Sequence, residues 1–248
     1  YRIFDELHIK PQTVLEDFGK SMLLRKAAQE KKDQLSLYAG SLDKAGFIDE
    51  AKSLMSEVYQ YDISRERLAE ALQSLGDTGE DKVLSEKLRD MLLIFATFEE
   101  KKGNAFIVAE QMLELLTAAA EKSQLIAESE IVLDGFTGFT PIQLNLISVL
   151  LRRAKKVTIV LTMDAAAYEK KHIGEHELFA LTRQTIDQLL LTAEKAHVVA
   201  EDTIFIGKDG CRRWEKGHPL AHLEQNLFRY PYHTGTDDKQ AIRIISYD

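Results

Sequence analysis

A chain of 248 residues, 45% of them hydrophobic, is long enough to bury a sizeable core as one large domain or two small ones. Its net charge is −8: residues 1–128 carry 17 Lys and Arg against 24 Asp and Glu, and the remainder 15 against 16, so neither half has the basic excess of an autonomous nucleic-acid binder. No apolar run approaches the ~20 residues that span a bilayer, and the single cysteine, Cys211, excludes an internal disulfide and a cysteine cluster for zinc or iron–sulfur; the expected setting is cytoplasmic, away from membranes.

The chain opens on Tyr1-Arg2-Ile3-Phe4-Asp5, with neither an initiator methionine nor a signal-peptide pattern, which points to an internal fragment of a longer protein. Residues 11 to about 122 then read as helix after helix. Val14, Leu15, Phe18, Met22 and Leu23 recur at spacings of three and four. Phe47, Ile48, Ala51, Leu54, Met55 and Val58 form a second amphipathic run, opened by Gly46 and ending near Tyr61-Asp62. Ser64 is placed to cap a third helix, with Glu66 in its first turn and Leu68, Leu72 and Leu75 along one side. Gly76-Asp77-Thr78-Gly79 is a break. A fourth helix runs from Val83 to about Glu100, where Gly103-Asn104 stops it, and a fifth covers Ile107 to Ala120. No strand of useful length and no internal repeat is expected in this half.

The character changes at Glu130. Ile131-Val132-Leu133 is a short apolar run ending in Asp134, and Val157-Thr158-Ile159-Val160-Leu161-Thr162 is a second, rich in β-branched residues. Leu144 to Leu151 reads as a helix between them, which makes a βαβ unit with parallel strands and a right-handed crossover. A helix follows over Leu178 to Ala193 and a short one over Leu220 to Phe228. Thr203-Ile204-Phe205-Ile206 and Ala241 to Ser246 read as further strands. The fold class is therefore α/β, with a helical region over residues 1–128 and an α/β region over 129–248.

Residues 131–143 carry most of the functional information. Thr140-Pro141-Ile142-Gln143 fits a capping box, with proline at the first helical position. The order is then strand, acidic residue, glycine-containing loop, capped helix, and such loops at the carboxyl ends of parallel strands commonly bind ligands. Three readings fit. Asp134 is a Walker-B-like carboxylate able to hold Mg²⁺ near a nucleotide; or the glycines cradle a nucleotide or S-adenosylmethionine, as in a methyltransferase-like enzyme, with Met163-Asp164 ending the next strand; or the loop is a plain tight turn.

The wording of the segment separates them. Asp134-Gly135-Phe136-Thr137-Gly138-Phe139-Thr140-Pro141 resembles the segment that replaces the Asp-Glu Walker B box in the B-type subunit of AddAB (RexAB) ATP-dependent helicase–nucleases. Phe18-Gly19-Lys20-Ser21-Met22-Leu23-Leu24-Arg25, Gly46-Phe47-Ile48, Ile63-Ser64, Val157 to Asp164 and Leu220 to Phe228 resemble further pieces of that family in the same order. The resemblance implies a helical insertion subdomain (1B-like) over 1–128 and part of a RecA-like, P-loop NTPase-like parallel sheet with flanking helices (1A-like) over 129–248. It implies a parent that binds DNA, forms a heterodimer with the A-type subunit of the helicase–nuclease and acts in recombinational repair. It also implies ATP with Mg²⁺ and an iron–sulfur cluster for that parent, none of them held by this fragment. At the position where working helicases place the catalytic glutamate stands Gly135, and no Gly-x-x-x-x-Gly-Lys-[Ser/Thr] occurs, so the fragment is expected to be catalytically silent; a missing base alone removes about 10²–10⁴ in rate.

The other candidates each have a plainer reading. Arg152, Arg153, Lys155 and Lys156 form the densest basic run and can meet phosphate, but cations at a helix end also complement its dipole. Phe136 and Phe139 can stack on bases or anchor the loop in a core. His172 with His176, and His218 with His222, have helical spacing but lack the companions of a zinc site. Asp164 either faces the cleft of Asp134 or caps the following helix.

Overall fold

The computed structural model describes residues 1–10, 12–44, 46–76, 79–170, 173–206, 213–215, 217–227 and 233–235. The chain divides into two compact units, residues 1–161 with 188–199, and residues 162–187 with 200–248.

The first unit opens with helix α1 (Arg2–Glu6), strand β1 (Thr13–Val14) and helix α2 (Asp17–Glu30). It continues through α3 (Phe47–Gln60), α4 (Arg65–Ser74), α5 (Gly79–Lys102), β2 (Phe106–Ile107), α6 (Ala109–Ala120) and α7 (Gln124–Ala127). The five expected helices are present, but two of them start later than their apolar periodicity predicts. Thr13-Val14 and Phe106-Ile107 pair instead as parallel two-residue strands, Thr13 opposite Phe106 and Val14 opposite Ile107. β-branched and aromatic residues favour extended backbone, and Glu16 and Val108 remain extended as the N-caps of the helices that follow.

Leu24, Ala27 and Ala28 of α2, Ile48, Ala51 and Met55 of α3, Ile94 and Phe98 of α5, and Val108 form the main core. Two alanines in succession on α2 let its partners approach closely. The local signals behave as read: the Ser64 hydroxyl accepts from the Arg67 N–H at 3.3 Å, and Gly103 stops α5 in the left-handed region at φ +57°. Asp90 of α5 is 1% exposed and accepts three successive backbone N–H groups, from Ser36 (2.9 Å), Leu37 (2.8 Å) and Tyr38 (2.9 Å). A second, partly buried polar chain ties three helices together. The Tyr59 hydroxyl donates to Glu99, Lys102 pairs with Glu99 at 2.8 Å and donates to Gln111 at 2.6 Å, and Gln111 accepts the Val108 N–H at 3.2 Å.

Glu6 of α1 caps α7. Its carboxylate accepts the Ser123 hydroxyl and the N–H groups of Gln124 (2.7 Å) and Leu125 (3.0 Å). The Ser123 bond, aided by those two N–H groups, holds the Glu6 carboxyl below its ordinary value. A depressed carboxyl stabilises the fold above its unfolded-state value, and that contribution is lost as pH falls through the folded-state value. Hydrogen exchange at Gln124 and Leu125 is therefore expected to accelerate, relative to amides elsewhere in the unit, as pH is lowered from about 6 to about 3, and Glu6→Gln should abolish the extra acceleration. Equal pH dependence in the two chains would remove Glu6 as the cause.

Strand β3 (Glu130–Leu133), helix α8 (Pro141–Arg153) and strand β4 (Lys156–Ile159) form the expected βαβ unit, with β3 and β4 parallel and in register from Glu130 opposite Lys156 to Leu133 opposite Ile159. One face packs Ile131 and Val157 against Ala120, Leu146, Val149 and Leu150. The other face is open, with Val132 64% exposed. The strand before Asp134 is thus half-buried rather than enclosed, because helices cover only one side of two strands. The chain is α/β; its described residues hold two small parallel two-stranded sheets and flanking helices, an arrangement consistent with a partial RecA-like fold.

The second unit holds α9 (Ala165–Glu169), the first part of α10 (Ala180–Lys195) and α11 (Pro219–Asn226). Arg183 donates to the carbonyls of Ala167 (3.2 Å) and Tyr168, and its guanidinium lies 5.2 Å above the Tyr168 ring. The expected strand at Thr203–Ile206 is irregular. Its residues are held by side chains instead: Phe205 meets Tyr168 edge to face at 5.0 Å, and Thr203 shares a hydrogen bond with the Tyr168 hydroxyl at 2.9 Å. Ile204 and Ile206 remain 85% and 88% exposed, since four β-branched and aromatic residues make a strand only where a neighbour takes their backbone groups. The strand expected over Ala241–Ser246 lies outside the described residues.

Candidate functional site

The site builds outward from the carboxyl rim of the β3–β4 pair. Asp134 follows the last residue of β3 and is exposed. Gly135 turns the chain at φ +81°, in the left-handed region, and a Cβ there would meet open space. Backbone conformation, and not crowding, therefore demands glycine at this position. Phe136 and Phe139 face each other across the loop, with ring centroids 5.1 Å apart and planes 30° apart; Phe136 is 41% exposed. The loop ends on α8, where half of the capping box forms: the Thr140 N–H donates to Gln143 Oε1 at 2.9 Å, while the Thr140 hydroxyl is buried without a hydrogen-bond partner.

The basic run sits at the other end of the sheet. Arg152 and Arg153 close α8, and Lys156 opens β4 opposite Glu130. Four residues at ~3.3 Å each separate the two rims by roughly 10–13 Å, so Asp134, Gly135, Phe136 and Phe139 come together but Arg152, Arg153, Lys155 and Lys156 do not join them. Arg152 forms an ion pair with Glu121 and donates to Ser148 at 3.3 Å. Arg153 is half-buried, and its Nε is buried without a hydrogen-bond partner. Lys155 and Lys156 are exposed. The parallel pairing of the βαβ unit is what puts the two groups at opposite rims.

The remaining candidates are occupied elsewhere. Asp164 stands immediately before α9, and its carbonyl accepts from Tyr168 at 2.9 Å. The His218 ring accepts from the Leu220 N–H at 3.2 Å as the N-cap of α11, and His222 bonds the His233 carbonyl at 3.1 Å. His172 lies outside the described residues. Gly19-Lys20-Ser21 repeats the end of a phosphate-loop signature but lies within α2, where Lys20 is buried and bonded to Ser56 (2.7 Å) and Glu110 (3.4 Å).

These residues do not fit a bound nucleotide–metal pair. Asp134 is a single carboxylate, which holds Mg²⁺ only together with nucleotide phosphates, and no phosphate-loop signature stands in these 248 residues to cradle them; among the described residues no three His, Cys, Asp or Glu side chains converge on a point where a metal ion would sit. One cysteine cannot supply the four thiolates of an iron–sulfur cluster. Nor is any helix among the described residues long and apolar enough to cross a membrane.

Asp90 escaped notice in the sequence, although a signal was there: Asp90, Ile94 and Phe98 fall at i, i+4 and i+8, which puts a carboxylate on the buried face of α5.

Residues 1–224 match the family model described as ADDB, N-terminal. The chain is 36% identical to the B subunit of the ATP-dependent helicase/deoxyribonuclease of Lachnoclostridium phytofermentans, over 99% of this chain and 21% of that protein. It is 31% identical to the like-named protein of a Thermoanaerobacter species, over 98% of this chain and 21% of that one, and 28% identical to that of Clostridium perfringens, over 98% and 20%. The chain spans about a fifth of the length of these relatives.

Proposed function

The chain belongs to the ADDB N-terminal family, and from that premise we propose that it is the helicase-like, DNA-holding scaffold within the B-type subunit of a helicase/deoxyribonuclease, acting in double-strand break repair by recombination and without catalysis of its own. Residues 1–128 then serve as the helical insertion and residues 129–248 as the partial RecA-like region. The A-type subunit, its heterodimer partner, supplies the motor. ATP with Mg²⁺ and the iron–sulfur cluster belong to parts of the complex beyond these residues.

The observation that carries this reading is the rim of the β3–α8–β4 unit, where Asp134 is followed by Gly135 at φ +81°. Nucleotide hydrolysis needs a phosphate cradle, a metal-binding carboxylate and a group that orients water. Only the second has a counterpart here. A glutamate at position 135 would have to adopt a left-handed backbone, which costs roughly 1–2 kcal/mol for an L-residue, so the loop favours the residue that cannot orient water. What the rim does offer is aromatic surface. Phe136, half in solvent and braced by Phe139, presents a face on which an unpaired base can stack. In the basic run the exposed Lys155 can meet phosphate, whereas Arg152 is engaged with Glu121.

The test is fluorescence anisotropy with a single-stranded oligonucleotide at low salt, alongside phosphate release from ATP with Mg²⁺ and DNA. Phe136→Ala is expected to weaken binding by about 1–3 kcal/mol, and turnover to stay below ~0.1 s⁻¹, against a median of ~10 s⁻¹ for enzymes. Unchanged affinity in the variant, or measurable turnover, would overturn the reading. Tight binding of S-adenosylmethionine would favour the nucleotide- or S-adenosylmethionine-binding alternative instead.

A further inference from the structure

Helix α11 is closed at its start by an imidazole. The His218 ring accepts the Leu220 N–H at Nδ1, at 3.2 Å, and the His218 carbonyl accepts the N–H groups of Ala221 (2.9 Å) and His222 (3.2 Å). Pro219, at the first helical position, has no N–H to satisfy. One residue therefore takes every backbone donor from Leu220 to His222. Elsewhere the same task falls to hydroxyls: Ser64 accepts from Arg67 and Ser123 from Ile126, and a hydroxyl remains an acceptor throughout the physiological pH range. An imidazole does not. To accept at Nδ1 the ring must be neutral, with its proton on Nε2. The charged ring donates from both nitrogens and would face the Leu220 N–H donor against donor.

The surroundings of the ring also oppose a charge on it. It sits at the positive end of the α11 dipole. It stacks on Trp214, with centroids 5.1 Å apart and planes at 17°, and the same indole carries the Arg213 guanidinium at 5.4 Å. An indole attracts a cation, but Arg213 already draws on that attraction. Among the described residues the other titratable groups around the ring are Glu215, whose carbonyl accepts the His218 N–H at 3.0 Å, and His222 one helical turn on, which bonds the His233 carbonyl at 3.1 Å. None of these residues gives the His218 ring a carboxylate as an ion-pair partner. Little else holds the first turn of α11. The helix has eight residues, with Ala221 its one buried side chain, and so short a helix does not persist on propensity alone. Its far end is tied separately, by Asn226 donating to the His222 carbonyl at 2.8 Å and by the Leu227 N–H donating to the Leu223 carbonyl at 2.7 Å.

We propose that His218 is a pH-sensitive cap: the neutral ring closes α11 from Pro219 onward, and protonation opens the first turn while the far end stays in place. The capped state is complete above the range in which an imidazole ordinarily takes up its proton, ~6.5, and is lost as pH falls through it. This device is separate from DNA binding at the sheet rim and does not depend on it.

The test measures amide protection in the ¹⁵N-labelled full chain at about pH 7.5 and about pH 5.5, on either side of that range, with the emission of Trp214, the only tryptophan, as a second readout. Protection of Ala221 and His222 is expected to fall about fivefold on acidification, the scale of a lost cap, with Leu227 unchanged and the Trp214 emission following the same curve. His218→Asn, which caps without titrating, should hold the protection at both pH values, and His218→Ala should show the low value at both. An equal fall in His218→Asn, no fall in the wild-type chain, or high protection in His218→Ala would each overturn the proposal. So would a fall that survives in His218→Asn and disappears in His222→Gln, since the second histidine would then be the sensor. A loss shared equally by Leu227 and the amides of α10 would overturn it as well, being general acid unfolding. If His218→Ala fails to fold, the comparison with His218→Asn decides alone.

Discussion

Replacing Asp90 with alanine is expected to cost the first unit about 3–5 kcal/mol of stability. Each N–H···carboxylate bond is charge-assisted and contributes roughly 1.5–3 kcal/mol, and Asp90 makes three of them. The sum is discounted because Ser36 and Leu37 lie at the surface, where water can partly replace the lost acceptor, while Asp90 itself is 1% exposed. The segment Asp90 holds also carries Tyr38, whose ring packs 5.3 Å from Phe47. Burial and then the Asp90 charge push the Tyr38 phenol above its ordinary value; loss of the carboxylate also frees the Tyr38 N–H and should loosen the ring contact. Asp90→Asn should fall between wild type and alanine. Its one amide oxygen can serve Leu37 and Tyr38, but its NH₂ then faces the Ser36 N–H, donor against donor. Urea titration gives the ordering directly, and thermal melts should drop by about 2–4 °C per kcal/mol. A loss below about 1 kcal/mol for alanine, or asparagine worse than alanine, would show that the three bonds do not hold this turn.

The same residue shows how far the sequence could be read. Apolar spacing located the five helices because periodicity is a property of neighbours along the chain, and Ser64 and Gly103 marked helix ends for equally local reasons. The βαβ unit was legible from its β-branched runs. β1 and β2 were not, because a two-residue strand exists only through a partner more than 90 residues away. Thr203–Ile206 failed in the opposite direction, having strand residues without a strand neighbour among the described residues. At the site, the order strand, Asp134, Gly135, loop, capped helix was fully visible. That the basic run lies at the opposite rim from Phe136 follows from the parallel strands of the βαβ unit; that Arg152 answers to Glu121, across 31 positions and at the end of another helix, does not show in the residue order.

Phe98→Ala is the second substitution with a large expected effect, about 3–5 kcal/mol. Phe98 is fully buried and packs in the cluster with Leu24, Ala27, Ile94 and Val108, so truncation leaves a cavity that the helices on either side cannot readily close. Leu150→Ala is the informative contrast. Leu150 is 8% exposed in the smaller cluster beneath the β3–β4 sheet, and its loss should cost nearer the lower end of the ~2–5 kcal/mol range for such changes. Both residues belong to the same compact unit, so both variants should shift one shared transition instead of splitting it. If Phe136 contacts DNA as proposed, neither truncation touches the contact surface. Oligonucleotide affinity per folded molecule should then hold constant while the folded fraction falls, the reverse of the Phe136→Ala pattern. A Phe98→Ala chain that keeps its stability to within about 1 kcal/mol would deny α5 its central place in the core. One that stays folded but loses DNA affinity would tie the binding surface to the helical core and away from the sheet rim.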